Sequence, residues 1–327
     1  MRDKKAELLH RRAFLNLGAG LLPFPAARNA SRIPIIDAHI HLFDPTRPQG
    51  VPWPPKDDAV LYKPALPARY SQIAEPLGIV GAIEIEASPW LEDNQWVLDV
   101  AAANSIIVGT VGDLEPGTPD FRKQLDRFHK NPLFRGIRYG NLWGRDLGKR
   151  LADAAFISDL KALAQADLEL DTANPDVALI RDVVRLTDRV PNLRVVIDHL
   201  PQIQLPPDTA SRKQYEADLS ELAKRPQVYV KVSEVLRRTG ERVPVELSSY
   251  RPVLDHLWDV FGQDRLIYGS DWPNSDHWGT YAQVLALVQQ YFLIKGRKAA
   301  ENFFWRNSLN AYRWVRRNNK QPQISAL

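Results

Sequence analysis

The stretch IIDAHIHLFDP, residues 35–45, sets Asp37, His39 and His41 at alternating positions behind an apolar run. Side chains along a strand alternate between faces, so residues two apart point the same way. On that reading His39 and His41 present two imidazoles side by side, about 7 Å apart at the backbone. They are within reach of one metal ion or one polarised carbonyl, and Asp37 orients the strand end or a neighbouring imidazole. Two more apolar runs end in similar chemistry: VVIDHL delivers His199 beside Asp198, and LIYGSDWP delivers Asp271 beyond a glycine. A lone histidine at a strand end is more often a hydrogen-bonded structural residue. His39, His41, His199 and Asp271 together form a ligand set that suits Zn²⁺ or a similar ion with one position open for water. Of the remaining histidines, only His277, in the loop after Asp271, is placed to approach them.

Something must bring these four together. Strand-like runs are centred on IPIIDAHIH, GAIEIEA, IIVGTVGDL, FRGIRYG, LELDTAN, RVVIDHL, VYVKVSE and RLIYGSD. Helical patterns such as LEDNQWVLDVAAAN, AAFISDLKALAQA and DVALIRDVVRLTDRV lie between most of them. Eight strands with intervening helices across residues 33–273 predict a (β/α)₈ TIM barrel, whose active sites sit at the C-terminal ends of the strands. A doubly wound sheet would bring a glycine-rich phosphate turn after its first strand, and none is present.

Strand phase sorts the side chains. Ile83 and Ile85 suit the helix-facing side, which turns Glu84 and Glu86 inward. Outward Leu168 and Leu170 turn Glu169 and Asp171 inward, and three outward valines turn Tyr229, Lys231 and Ser233 inward. Outward Ile137 likewise turns Arg138 into the barrel. Buried charge is costly unless paired, so the lower members are expected to form ion pairs. Glu86, Asp171 and Lys231, nearest the strand ends, are expected to bind substrate. A proline-dense connection, residues 44–69, follows the first strand and is expected to act as a binding loop or lid carrying Trp53.

Bulk composition narrows the class. With 44% hydrophobic and 25% charged residues, the 327-residue chain is globular rather than disordered. Its net charge of +4 misleads. Residues 1–32 hold seven Lys/Arg against two acids, which leaves about −1 for residues 33–327. No basic face for nucleic acid follows. Cysteine is absent, which excludes disulfides, thiolate metal sites and cysteine nucleophiles. The stretch HRRAFLNLGAGLLPFPAARNAS resembles a twin-arginine export signal, with His10 and Asn16 where a hydroxyl residue and a lysine are usual. Residues 1–32 are therefore predicted to be a leader that directs export to the periplasm, and residues 33–320 the barrel. The apolar run is too short to span a bilayer, so no membrane association is expected of the mature chain.

Five motifs in barrel order, IDAHIHLFDP, FRGIRY, VIDHL, VYVKVS and LIYGSDWP, resemble the amidohydrolase-related branch of the amidohydrolase superfamily. The nearer likeness is to its sugar-acid and dicarboxylate lactonases. HLFDPTRPQGVPWPP is similar to the opening of fuconolactonases, and NSLNAYRW to the family's closing helix. The resemblance implies a barrel, hydrolysis of a small-molecule substrate, and a site at His39, His41, His199 and Asp271. The fifth strand offers Asp171 where binuclear and decarboxylating relatives have histidine, which argues against two metals. One divalent ion, Zn or Mn, or none, is the expectation. Asp271 would take a proton from the attacking water. The histidines would polarise the carbonyl themselves or through an ion. Arg138, and less so Arg135, would grip substrate oxygens; Trp53, Trp143 and Trp272 are stacking candidates. A decarboxylase, a cyclic-amide hydrolase and a non-catalytic exported binding protein are the rivals.

Overall fold

The computed structural model describes residues 32–323; the predicted leader lies outside them apart from Arg32. Eight strands follow in order: β1 (Ile35–Ile40), β2 (Ile79–Ile85), β3 (Ile107–Gly112), β4 (Phe134–Arg138), β5 (Glu169–Asp171), β6 (Arg194–Ile197), β7 (Val228–Val232) and β8 (Leu266–Tyr268). The helices are α1 (Pro67–Ala74), α2 (Leu91–Ala103), α3 (Phe121–Phe128), α4 (Leu147–Arg150), α5 (Ala154–Gln165), α6 (Val177–Arg189), α7 (Thr209–Ala223), α8 (Arg251–Phe261), α9 (Tyr281–Ile294), α10 (Arg297–Glu301) and α11 (Asn307–Tyr312). Each strand pairs in parallel with the next, in sequence order from β1 to β8. The ring closes just beyond β8, where the Asp271 amide donates to His39 O and the His41 amide to Trp272 O, both at 2.8 Å. This is the (β/α)₈ TIM barrel that the alternating pattern predicts. No helix among the described residues is long and apolar enough to cross a membrane.

Bulges correct two of the phase expectations. Asp37 pairs with Ala82 and Ile40 with Glu84, so β1 spends one residue more than β2 between these pairs. Such an insertion breaks the alternation of faces. Ile36 and Ala38 belong to the barrel interior, whereas Asp37 reaches the helix layer and accepts hydrogen bonds from Tyr70 of α1 (2.9 Å) and Tyr281 of α9 (2.8 Å). Its other oxygen accepts from the Ser270 amide at 2.8 Å and the His39 amide at 3.2 Å. Asp37 therefore does not share a face with the histidines; it is the side chain that ties β1 to β8 below the point of closure.

In β2 the phase is the reverse of that expected. Ile83 and Ile85 lie inside, against Trp305, Tyr312 and Trp314 of the C-terminal segment, and Glu84 lines the space beside Asp93 and Asn94 of α2. The interior is apolar here because the C-terminal segment plugs the lower end of the barrel. Arg135 donates to Tyr312 O (2.9 Å), Arg194 to Ala311 O (2.7 Å) and the Val315 amide to Val108 O (2.8 Å). Arg135 is thus a contact at the base of the barrel.

The proline-dense loop is pinned at three places. His277 meets Asp58 at 3.0 Å, Arg69 meets Asp276 at 3.2 Å, and Arg47 pairs with Asp93 at 2.9 Å while covering Trp96. His277 therefore serves the loop and does not reach the histidine cluster.

Asp37→Ala would strand two buried amides and leave the Tyr70 and Tyr281 hydroxyls only each other, at 3.2 Å, so that one of them loses its acceptor. Each orphaned group costs about 1–3 kcal/mol, so urea unfolding should show a loss of at least ~3 kcal/mol. A loss below ~1 kcal/mol would mean that closure does not depend on this carboxylate.

Candidate active site

His39 Nε2, His41 Nε2 and Asp271 Oδ1 form a triangle with edges of 3.3, 3.4 and 3.2 Å. Donor atoms each 2.0–2.1 Å from a tetrahedral ion stand about 3.3 Å apart. The triangle thus fits one ion of the Zn²⁺ class. Its hydrogen-bond chemistry fits as well. His41 Nδ1 lies 2.8 Å from Ile85 O, an acceptor only, so Nδ1 carries the proton and the Nε2 lone pair is free. His39 Nδ1 has no closer partner than Asp198 Oδ1 at 3.6 Å, and its Nε2 likewise faces the triangle. Asp271 Oδ2 accepts from Asn274 at 2.8 Å, which leaves Oδ1 for the triangle.

Burial sets the protonation of these groups. It depresses His39 well below the usual imidazole range and His41 to about 4, so both are neutral near pH 7. The same burial raises Asp271 to about 7, against the lowering effect of hydrogen bonds from Asn274 and Glu234. Close approach makes the triangle possible: a Cβ at Gly269 would lie 2.7 Å from His39 Cβ.

Above the triangle opens a cavity of about 300 Å³, whose wall includes His41, Asp271, Trp53, Glu86, Arg138 and Trp143. Trp53 meets the His41 ring at 5.4 Å, and Trp143 Nε1 donates to Glu86 at 3.1 Å. Burial, countered by Arg138, raises Glu86 to about 8. Asn174, Gln202, Glu234 and Asn274 complete the lining, and the sequence reading missed all four. One backbone signature unites the wall. Seven non-glycine residues among those described have left-handed φ, and Trp143, Asn174, His199, Glu234 and Asp271, five of the seven, line this one cavity. Such conformations cost roughly 1–3 kcal/mol each and cluster at functional sites. Asn174, in TANPD, is of a type that tolerates this region; Glu234, one residue beyond KVS, ends β7 much as Asp271 ends β8.

The expected site residues outside the triangle are placed differently from one another. His199 stays outside the triangle: Nδ1 pairs with Ser233 Oγ at 2.8 Å and Nε2 faces an Arg138 nitrogen at 3.4 Å. It belongs to looser groupings with Glu234 and Asp271, or with His39 and Asp198. Lys231 and Asp171 do not reach the cavity. Both are fully buried beneath it and paired to each other at 2.6 Å. Arg138 does line the cavity, with Nε donating to Asp198 Oδ2 at 3.1 Å and another nitrogen 3.8 Å from Glu86. Trp272 is fully buried against Tyr70 and is not a stacking surface.

A parallel barrel with two imidazoles ending its first strand and a carboxylate just past its eighth is the framework of a hydrolase working at a barrel mouth. Residues 36–314 match the amidohydrolase family profile, and the chain belongs to that family. It is 31% identical over 290 residues to the L-fucono-1,5-lactonase of Burkholderia ambifaria, covering 85% of this chain and 95% of that protein. The L-fucono-1,5-lactonase of Burkholderia multivorans is 25% identical over 276 residues, covering 83% and 92%. A crystal structure of an amidohydrolase from Burkholderia multivorans with bound Zn superposes with a TM-score of 0.74 at 22% identity, over 86% of this chain and 99% of that one.

After incubation with Zn²⁺ and desalting, about one ion per chain should remain by elemental mass spectrometry, and His41→Ala should abolish its retention. Two ions would show that the His199–Glu234–Asp271 group is also filled, and none would remove the ion from the site. Uptake should weaken below about pH 7, because a carboxyl raised to about 7 is protonated there and the ion must displace that proton. Uptake independent of pH between 5 and 8 would show that Asp271 is not a ligand.

Proposed function

We propose that the protein hydrolyses the lactone ring of an uncharged, hydroxylated sugar acid. The observation that carries this reading is the cavity's charge. Among the described residues Arg138 is the one lysine or arginine lining it, with its Nε bonded to Asp198 and another nitrogen 3.8 Å from Glu86. A dicarboxylate, with two charges to balance, would find a single cation there among the described residues, its Nε already bonded to Asp198. The three amides of Asn174, Gln202 and Asn274, with the Trp53 and Trp143 rings, suit hydroxyls and the apolar face of a small ring. A volume of about 300 Å³ is at the lower end of small-ligand sites. The two L-fucono-1,5-lactonases of Burkholderia point to the same chemistry.

An ion held by His39, His41 and Asp271 would supply Lewis-acid polarisation of the ester carbonyl and acidify water. The chain's own groups account for the rest. Asp271, at the cavity wall beside both histidines, takes the proton of the attacking water. Arg138, with N–H groups at the cavity wall, stabilises charge that develops on the carbonyl oxygen. When the ring C–O bond breaks, the alkoxide recovers the proton from Asp271, and the product is the open hydroxy acid.

A pH-indicator assay on L-fucono-1,5-lactone, related sugar lactones and 2-pyrone-4,6-dicarboxylate tests this reading. Turnover of neutral lactones is expected, and Asp271→Asn should lower kcat by about 10²–10⁴-fold. Turnover of the dicarboxylate alone would overturn the substrate class, and an active Asp271→Asn variant the role of Asp271.

A further inference from the structure

A column of buried polar groups climbs the barrel interior from the C-terminal segment to Asp198, which faces His39 across 3.6 Å. At its foot the Tyr312 hydroxyl donates to Asp171 Oδ1 at 2.8 Å. Asp171 Oδ2 accepts from Lys231 Nζ at 2.6 Å, and the same ammonium pairs with Asp198 Oδ1 at 2.8 Å. It also stands 5.3 Å from the centre of the Tyr312 ring. Asp198 then divides its two oxygens: Oδ1 faces His39 Nδ1 at 3.6 Å, and Oδ2 accepts from Arg138 Nε at 3.1 Å. Tyr312, Asp171, Lys231 and Asp198 all have no exposed surface.

A buried ion pair of this kind is weak evidence for stability, since well-packed apolar groups often serve as well or better. Its geometry has a use instead. Asp198 Oδ1 stands 3.6 Å from Nδ1, beyond hydrogen-bond length, so it acts on His39 through its charge, which favours the proton on Nδ1 and leaves the Nε2 lone pair on the triangle. Carboxylates placed behind ligating imidazoles fix ring orientation in this way, and losing them costs about 10–100-fold in metal affinity or activity.

We propose that Lys231, braced from below by Asp171 and Tyr312, is the positioning residue of the site: it holds Asp198 where it sets the tautomer of His39 and the aim of Arg138. The inference rests on the triangle being the reactive centre, and it gives the C-terminal segment a part in the chemistry as well as in the fold.

The test uses Lys231→Met and Tyr312→Phe, each full length, ¹⁵N-labelled at histidine and stripped of metal with chelator. Long-range ¹⁵N–¹H spectra at neutral pH report which nitrogen of His39 carries the proton. The parent should show Nδ1–H alone. Lys231→Met should show mixed tautomers, with kcat down about 10–100-fold and KM within about twofold. Tyr312→Phe should shift the His39 signals in the same direction and lower kcat about threefold to tenfold, with an unfolding midpoint close to the parent's. Unchanged His39 signals and unchanged kcat in folded Tyr312→Phe would overturn the proposal, even if Lys231→Met fails to fold. The imidazole readout needs no substrate. A shifted tautomer in a protein that opens no lactone would therefore support the positioning role and count against the lactonase reading.

Discussion

Lys231 carries its ammonium to the middle of a closed barrel where no water reaches it, and the upper half of the molecule is arranged around that charge. Removing an ion from water costs several kcal/mol even after relaxation, so two carboxylates must come to it. Burial would raise Asp198, but Lys231 and then Arg138 outweigh it and hold that carboxylate ionised below its usual range. Asp171 moves the other way: burial and the nearby Asp198 charge raise it to about 6 in spite of Lys231. The column thus concentrates its negative charge on the carboxylate that faces His39.

The interior is divided accordingly. The apolar floor draws most of its residues from β1 to β3, Ile36, Ala38, Ile83, Ile85, Val108 and Val111, with Val196, Tyr229 and Ile267 from later strands, against the C-terminal aromatics. On the side of β4 to β7 the interior holds Arg138, Asp171 and Lys231. The two halves meet at His39, whose neighbours are the apolar floor below and Asp198 beside it. A histidine in that position loses solvation, which is why it is neutral, and the nearest acceptor to its Nδ1 is the Asp198 carboxylate at 3.6 Å.

Simple alternation described β4, β5 and β7 well at their upper ends, because those strands pair without a register shift from β4 to β8. It misplaced Asp37 and Glu84 because the β1–β2 and β2–β3 pairs are bulged, and an inserted residue leaves no mark in a pattern of apolar and polar types. Depth was equally invisible. Lys231 and Asp171 have the right phase, but phase does not say how far below the rim a side chain lies. His39, His41 and Asp271 were legible because each ends an apolar run in a residue type with few structural uses. Glu234, Asn174 and Asn274 lie beyond their strands, on backbone whose shape is set by the assembled mouth rather than by neighbouring residues.

The plug formed by the C-terminal segment has a temporal side. His39 is in the first strand and Tyr312 in the last helix, so the column joins the two extremes of the folded chain. Chains are made from the N-terminus, and contacts distant in sequence form late. A nascent barrel can therefore pair β1 with β2 long before the support beneath its first histidines exists. Chains that end short of residue 312 lack the foundation beneath His39 and His41 however well their strands have assembled.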